Sequence, residues 1–308
     1  MEESNLIRRI IDALCEEKGI EKITLSYDWV IIFKKGDVEK KIVNYKFHLN
    51  PKKSMELASD KYSTYCLLKH YGIPIIEHQV LFNEEMMPDF AYVNDEFRCL
   101  KNEDKVVIKV NRGSSQGRDV YVSSKAEEKL QIVKHLFDEE NDAVCVCPYQ
   151  EIEYEYRAIF LYGEMIYMYK KQKPFVIGNG KLTIGELIQE NYQFFTEPIQ
   201  DLDLNYVLKK GEKVTVGWKH NVSNGAIPII IDENDAYYDT VKKIAEKAGK
   251  ALDLNYATVD VVVTKEKEVL VMEVNSNVCI VKFCELMPNG FEIGKEIFSK
   301  VIDKMFEN

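Results

Sequence analysis

Apolar positions along the chain follow two periods, one helical and one alternating. Residues 4–18 carry Leu6, Ile7, Ile10, Ile11 and Leu14, a stripe at helical spacing that stops at Gly19. Residues 29–33 and 41–45 read as the strands of a hairpin around Lys35-Gly36-Asp37. A helix over 59–71 ends at Gly72 and Pro74. Strands follow at 80–82 and 106–110, and a polar, glycine-bearing loop over 111–119 leads into another at 120–122. Residues 125–140 read as helix and 143–147 as a short apolar run before Pro148. Strands at 157–161 and 165–169 turn at Tyr162-Gly163-Glu164. A Gly/Lys/Pro-rich stretch over 170–181 precedes a short helix at 185–191, and 192–215 is irregular. A helix over 236–252, strands at 257–264 and 269–275, and an amphipathic helix carrying Ile293, Ile297, Val301, Ile302 and Met305 complete the chain. Both halves mix helices with strands, which gives an α+β class with a lobe boundary at 148–153.

Composition narrows the partners. The 308 residues are 46% hydrophobic and 30% charged, a globular balance with ample length for a buried core. The net charge of −10 argues against a general nucleic-acid binder, which needs a basic face. No run of about 18 apolar residues is present to cross a membrane. The first residues are too charged for a secretion signal, so a cytoplasmic protein is expected. Seven cysteines without framework spacing read as free thiols in a reducing compartment. Cys145-x-Cys147 and the Cys279/Cys284 pair lack both a CxxC spacing and a nearby His, so they read as small buried apolar side chains rather than metal ligands.

The chemistry concentrates in two segments. TVDVVVTKEKEVLVMEVN (258–275) is two apolar strands around Lys265-Glu266-Lys267-Glu268. A turn centred between Glu266 and Lys267 places Asp260 directly across from Glu273, with Asn275 on the same face. Val259, Val261, Val263, Leu270, Met272 and Val274 then form the opposite, apolar face. Opposed carboxylates repel unless a cation lies between them or one is protonated. Oxygen donors alone, with no His or Cys, point to a hard ion such as Mg²⁺ or Mn²⁺. A solvated sheet face is the competing reading, but acidic residues are poor strand formers and Glu273 interrupts an apolar run.

The second segment, VVIKVNRGSSQGRDVYV (106–122), is strand, polar loop, strand. Gly113 and Gly117 permit the left-handed turns that aim backbone N–H groups at an anion, and Ser114 and Ser115 add hydroxyl donors. Lys109 lies in an apolar strand and needs an anionic partner. The segment is not a GxxxxGK[ST] loop, and no helix follows it at once.

Taken together, these residues resemble the ATP-grasp superfamily. Asp60-Lys61 opening a helix, followed by YGIPIIEH (71–78), looks like that superfamily's DK…aGIPvp motif. VIKVNRGSSQG is similar to the glycine-rich loop of D-alanine–D-alanine ligases, and VDVVV…VMEVNSN to their closing D…E-x-N metal motif. IGNGKLTIGELI (177–188) resembles a segment of cyanophycin synthetases and bifunctional glutathione synthases. WKHNVSNG (218–225) resembles a segment of those enzymes and of ribosomal-protein glutamate ligases. The resemblance spans 55–287. It implies an ATP-grasp fold of two α+β lobes clamping ATP, over 56–148 and 149–308, behind a reduced N-terminal segment over 1–55.

The resemblance also implies roles. Lys61 and Lys109 would reach ATP phosphates, with Gly113, Ser114, Ser115 and Gly117 closing over them. Cys147-Pro148-Tyr149 would be the hinge beside adenine, and Glu155 would take the ribose hydroxyls, in competition with Glu151 and Glu153. Asp260, Glu273 and Asn275 would hold two Mg²⁺ ions, Mn²⁺ being the alternative. Lys219 and Asn221 would stabilise the transferred phosphoryl group with help from Arg157. His220 reads equally as a base or as a packing residue. The implied activity joins a small-molecule or peptide carboxylate to an amine through an acyl phosphate, releasing ADP and phosphate. The alternatives are an ATP-grasp small-molecule kinase and a nucleotide-binding module without turnover. Neither substrate is named by the motifs, and Asn277-Val278-Cys279-Ile280 replaces the small-Pro-Gly turn usual after the metal motif. The oligomeric state is left open, a homo-oligomer being common among related ligases.

Overall fold

The computed structural model describes residues 3–89, 102, 104–113, 119–192, 202–217, 220, 222 and 225–307, the side chains of 3–5 aside. In chain order the elements are α1 (Glu3–Lys18), β1 (Glu21–Leu25), β2 (Val30–Lys35), β3 (Val38–Val43), α2 (Lys52–Ser59), α3 (Lys61–His70), β4 (Gln79–Phe82), β5 (Val106–Val110), β6 (Val120–Ser123), α4 (Ala126–Asp138), β7 (Ala143–Pro148), β8 (Ile152–Leu161), β9 (Glu164–Gln172), β10 (Phe175–Ile177), α5 (Ile184–Asn191), β11 (Lys213–Thr215), β12 (Ile227–Ile230), α6 (Tyr238–Ala251), β13 (Tyr256–Thr264), β14 (Val269–Asn275), α7 (Val281–Leu286) and α8 (Gly290–Glu307). Among them no helix is long and apolar enough to cross a membrane.

Contacts divide the chain into two interleaved units. One comprises the chain up to His48, Tyr169–Ile231 and the chain from Cys279 onward; the other comprises Leu49–Met168 and Asp232–Val278. In the first, α1 packs against α7 and α8, and α8 against β3. Its core includes Ile10, Ile11 and Leu14 of the sequence-predicted stripe, with Ile297, Val301 and Ile302 of α8. The β2–β3 hairpin turns where the sequence places it, with Lys35 paired to Val38. The added partner β1 is an edge strand whose mostly exposed residues show no alternation to read. The segment after β9 builds a small subdomain. Antiparallel β10 and β11 cover a cluster of Val176, Ile184, Leu187, Ile188, Leu208 and Val216, and Thr183 with Glu186 forms a capping box on α5. β12 pairs with the Tyr169–Gln172 end of β9.

The second unit holds two sheets. One runs β9-β8-β13-β14, with α6 packed on β8, β13 and β14. The other runs β4-β7-β5-β6 and buries Val106, Ile108, Val110, Val144 and Val146 against Val133 and Leu136 of α4. Side chains alternate along a strand, so Val107 and Lys109 of β5 and Cys145 and Cys147 of β7 face away from α4. Two short connections hold the unit together. The Ile76 N–H donates to Val271 O at 3.0 Å and the Val271 N–H to Pro74 O at 2.9 Å, which pins the segment after α3 to β14. The Asn50 amide donates to Tyr256 O and Ser276 O and accepts from the Asn255 and Tyr256 N–H groups, tying the start of β13 to the chain just after β14.

Candidate active site

Strand β13 lies between β8 and β14, so its residues have neighbours on both sides. Asp260 is paired with Arg157 on one side and Glu273 on the other. The next row on the same face is Glu155, Val262 and Leu270, and the preceding row is Ile159, Thr258 and Asn275. Glu155, Arg157, Asp260, Glu273 and Asn275 therefore share one face of one sheet. Asp260 is 2% exposed and Glu155 3%, while Glu273 and Asn275 are half-buried. The cation that opposed carboxylates call for is Arg157. Its Nε donates to Asp260 Oδ1 at 2.8 Å and its Nη2 to Oδ2 at 2.6 Å. Glu151 and Glu153, the competitors of Glu155, are paired instead with Lys265 and Lys267 at the hairpin turn.

The hairpin corrects one expectation. Asp260 does pair with Glu273, but Val261 pairs with Val271, so Met272 is an extra residue in a β-bulge. Beyond the bulge the pairing runs to Val263 with Val269, which centres the turn on Glu266. The bulge also changes which side chains share a face. Leu270 and Met272 do not join Val259 and Val261 on the far side; they pack with Val262, Ile76, Val107, Ile152 and Cys147 in an apolar cluster beside the carboxylates.

The lysines meet this face from the other sheet and from α3. Lys61, 9% exposed, lines a narrow crevice with Thr64, His78, Met272 and Glu273. Burial holds its ammonium below the ordinary lysine value, against the pull of the Glu273 carboxylate, and the like charge of Lys109 adds to the shift. Burial also opposes the charge on Lys109, but neighbouring Cys147, Glu273 and Cys145 outweigh it and hold the ammonium above the ordinary lysine value. His78 had no role in the sequence reading. It is 3% exposed, its Nδ1–H donates to Ile76 O at 2.8 Å, and burial followed by the charges of Lys109 and Lys61 pushes it down to about 3. The burial of a histidine at the end of YGIPIIEH carries no signal in a single sequence.

The segment Cys147-Pro148-Tyr149 ends β7. Cys147 is buried in the apolar cluster, Pro148 carries no N–H, and the Tyr149 N–H donates to Lys105 O at 3.0 Å. The Lys105 ammonium sits 3.9 Å from the Tyr149 ring centroid. Gly113 adopts the left-handed conformation expected of it, with φ +79°. Ser114, Ser115, Gly117, Lys219 and Asn221 lie outside the described residues. His220, in the other unit, is 6% exposed, and burial with the charges of Lys173 and Lys171 pushes it down to about 3. An imidazole of that acidity is neutral at pH 7 and a weak base.

Residues 218–301 match the RimK-like ATP-grasp domain. A cyanophycin synthetase of Geminocystis herdmanii is 27% identical over 250 residues, covering 72% of this chain and 28% of that protein. The chain spans less than a third of the length of the curated relatives it matches. A bifunctional glutathione synthetase from Pasteurella multocida superposes with a TM-score of 0.58 at 20% identity, over 96% of this chain and 43% of that one. D-alanine–D-alanine ligase from Bacillus anthracis gives 0.53 at 17% identity, over 84% and 69%. The chain has the ATP-grasp fold. In sequence it resembles the ATP-grasp carboxylate–amine ligases, as the motifs imply.

In this chain the donors on the carboxylate face suit a hard divalent cation. Asp260 and Glu273 supply carboxylate oxygens and Asn275 an amide oxygen, with neither His nor Cys in the row. Asp260 gives one lone pair of each oxygen to Arg157 and keeps others, since an ionised carboxylate has about four acceptor sites. Among the described residues no group of three or more His, Cys, Asp or Glu side chains gathers as a metal cluster, on this face or any other.

Proposed function

We propose that the chain is an ATP-dependent carboxylate–amine ligase that makes an amide or peptide bond through an acyl phosphate. The observation that carries this reading is the row Arg157–Asp260–Glu273, in register on one sheet face, with Lys61 and Lys109 beside Glu273 and an apolar cluster next to both. This combination suits a flat apolar base at one end and a polyanionic tail at the other. Residues 56–148 bring the lysines and the hinge, and 149–308 the carboxylates.

In this reading a carboxylate oxygen of the acid substrate takes the γ-phosphoryl group of ATP and ADP departs. The amine then attacks the carbonyl carbon, loses a proton and expels inorganic phosphate. Both steps call for positioning and charge neutralisation rather than a nucleophilic side chain. Lys61 and Lys109 bind phosphate oxygens, and the segment carrying Gly113, Ser114, Ser115 and Gly117 supplies further donors to them. Cys147 and the backbone around Pro148 and Tyr149 face the base, and Glu155 accepts from the ribose hydroxyls. Asp260, Glu273 and Asn275 would hold Mg²⁺, which when bound offsets phosphate charge. Arg157 orients Asp260, and Lys219 with Asn221 steadies the transferred group. His220 is buried, and this reading assigns it no proton transfer.

The test is an ADP-release screen of the purified chain against pools of acids and amines, with mass spectrometry of the product. A mass equal to acid plus amine less one water supports the ligase. A phosphorylated hydroxyl compound would instead establish a kinase, and ATP binding without ADP release in any pool a non-catalytic module.

A further inference from the structure

The residues just ahead of Gly113 do something the motif reading leaves out. Helix α3 begins with Lys61, and its first N–H groups need partners. The Lys61 N–H donates to the backbone O of Asn111 at 3.3 Å and the Tyr62 N–H to Asn111 Oδ1 at 3.0 Å. The Ser63 N–H donates to Asp60 Oδ1 at 2.7 Å, and the Asp60 N–H to Leu57 O at 3.3 Å. Two of the helix's first N–H groups are thus capped from another element by one residue of the β5 end. With those groups engaged, recognition of an anion at this helix end falls to the Lys61 ammonium and not to the backbone. That ammonium is itself held, since Lys61 Nζ donates to the same Asn111 O at 3.4 Å.

Asn111 and Asp60 are fixed in turn. Asn111 is 4% exposed; its N–H donates to Ala143 O at 3.0 Å, and Cys145 Sγ donates to its Oδ1 at 3.1 Å. Asp60 is 5% exposed, and its second oxygen, Oδ2, accepts from Arg112 Nε at 2.8 Å and Nη2 at 2.7 Å. Burial works against the Asp60 charge, but the Ser63 and Arg112 hydrogen bonds outweigh it and hold the carboxyl below its ordinary range. We infer that Asp60, Asn111 and Arg112 form a clasp that positions Lys61 for the triphosphate, setting its ammonium from the root of the glycine-bearing loop. The clasp residues are positioning residues that act through Lys61. The inference rests on the nucleotide reading above.

Isothermal titration of the full chain with ATP and with adenosine tests it. Asn caps a helix as well as Asp, so Asp60→Asn keeps the Ser63 bond and removes only the charge that holds Arg112. Arg112 is exposed enough that Arg112→Met leaves the core intact, and a thermal midpoint checks this. Both variants are expected to bind ATP about tenfold more weakly while adenosine affinity stays at the wild-type value. Arg112→Lys should recover most of the loss, and the double variant should be no worse than either single one. The clasp is overturned if both variants bind ATP within about twofold of wild type while Lys61→Met loses affinity. It is equally overturned if ATP and adenosine affinities fall together, because a merely structural defect does that. A wild-type chain that binds no ATP removes the nucleotide reading and this inference with it.

Discussion

Arg157 and Asp260 face each other across β8 and β13 and are joined by two hydrogen bonds, at 2.8 and 2.6 Å. Asp260 is buried and Arg157 is about a quarter exposed, so the pair is shielded on one side and open on the other. Asp260→Asn leaves the guanidinium without its anion, at a cost of about 2 kcal/mol once solvent screening of Arg157 is allowed for. Glu273→Gln, at a half-buried position, should cost under about 1 kcal/mol. Both should lower Mg-dependent ADP release by at least about a hundredfold. Urea unfolding and a coupled ADP assay measure the two effects separately; full turnover in either variant would remove the carboxylate row from the mechanism.

The hinge makes a prediction about a backbone atom. Pro148 has no N–H and that of Tyr149 goes to Lys105 O, so if the base binds at this strand end as proposed, the Gln150 N–H is the next donor to meet its edge. Gln150→Pro deletes that donor and should weaken ATP binding about tenfold, whereas Gln150→Ala should bind as wild type. Equal affinities for the two variants would move base recognition away from this strand end.

Two buried histidines give the fold an acid limit. His78 and His220 are both pushed down to about 3, each chiefly by burial and further by neighbouring lysines. Their folded values lie below the unfolded value of about 6.5, so unfolding takes up protons below that pH. The stability their neutral forms contribute is complete above about pH 6.5 and is lost as pH falls from there toward 3, at about 1.4 kcal/mol per pH unit for each histidine. Denaturant midpoints measured between pH 7.5 and 5 should fall accordingly, and His78→Gln should flatten the slope by one proton. A wild-type midpoint unchanged across that interval would contradict the burial of both rings.

Helix α6 approaches β8 through a glycine. A Cβ on Gly249 would lie 2.7 Å from atoms of the Phe160 ring, closer than carbon atoms tolerate. Gly249→Ala should therefore destabilise by about 1–3 kcal/mol in spite of the better helix propensity of alanine. Adding Phe160→Leu should return part of the loss in the same unfolding assay; a stabilised single variant would show that the ring can step aside.

Much of the site was legible because its signals are local. The hairpin of 258–275 pairs residues near one another in sequence, so alternation with a turn placed between Glu266 and Lys267 set Asp260 opposite Glu273. The fold reaches that pairing with the turn one half-step earlier and a bulge that restores the register. The apolar strand around Lys109 announced the need for an anion. Gly113 was readable because a left-handed turn is a property of one residue. What only the tertiary structure decided depends on contacts between distant segments. The bulge at Met272 turns Leu270 and Met272 toward the carboxylate side, and nothing in the strand's own pattern reports it, because both faces there carry apolar residues. That Arg157 is the cation for Asp260, that Glu273 shares a crevice with Lys61, and that Asn111 caps a helix fifty residues earlier in the chain follow from strand order and packing. A sequence fixes periodicity and turn chemistry through short-range sterics, while the partner of a buried charge is chosen by whichever segment the fold brings within reach.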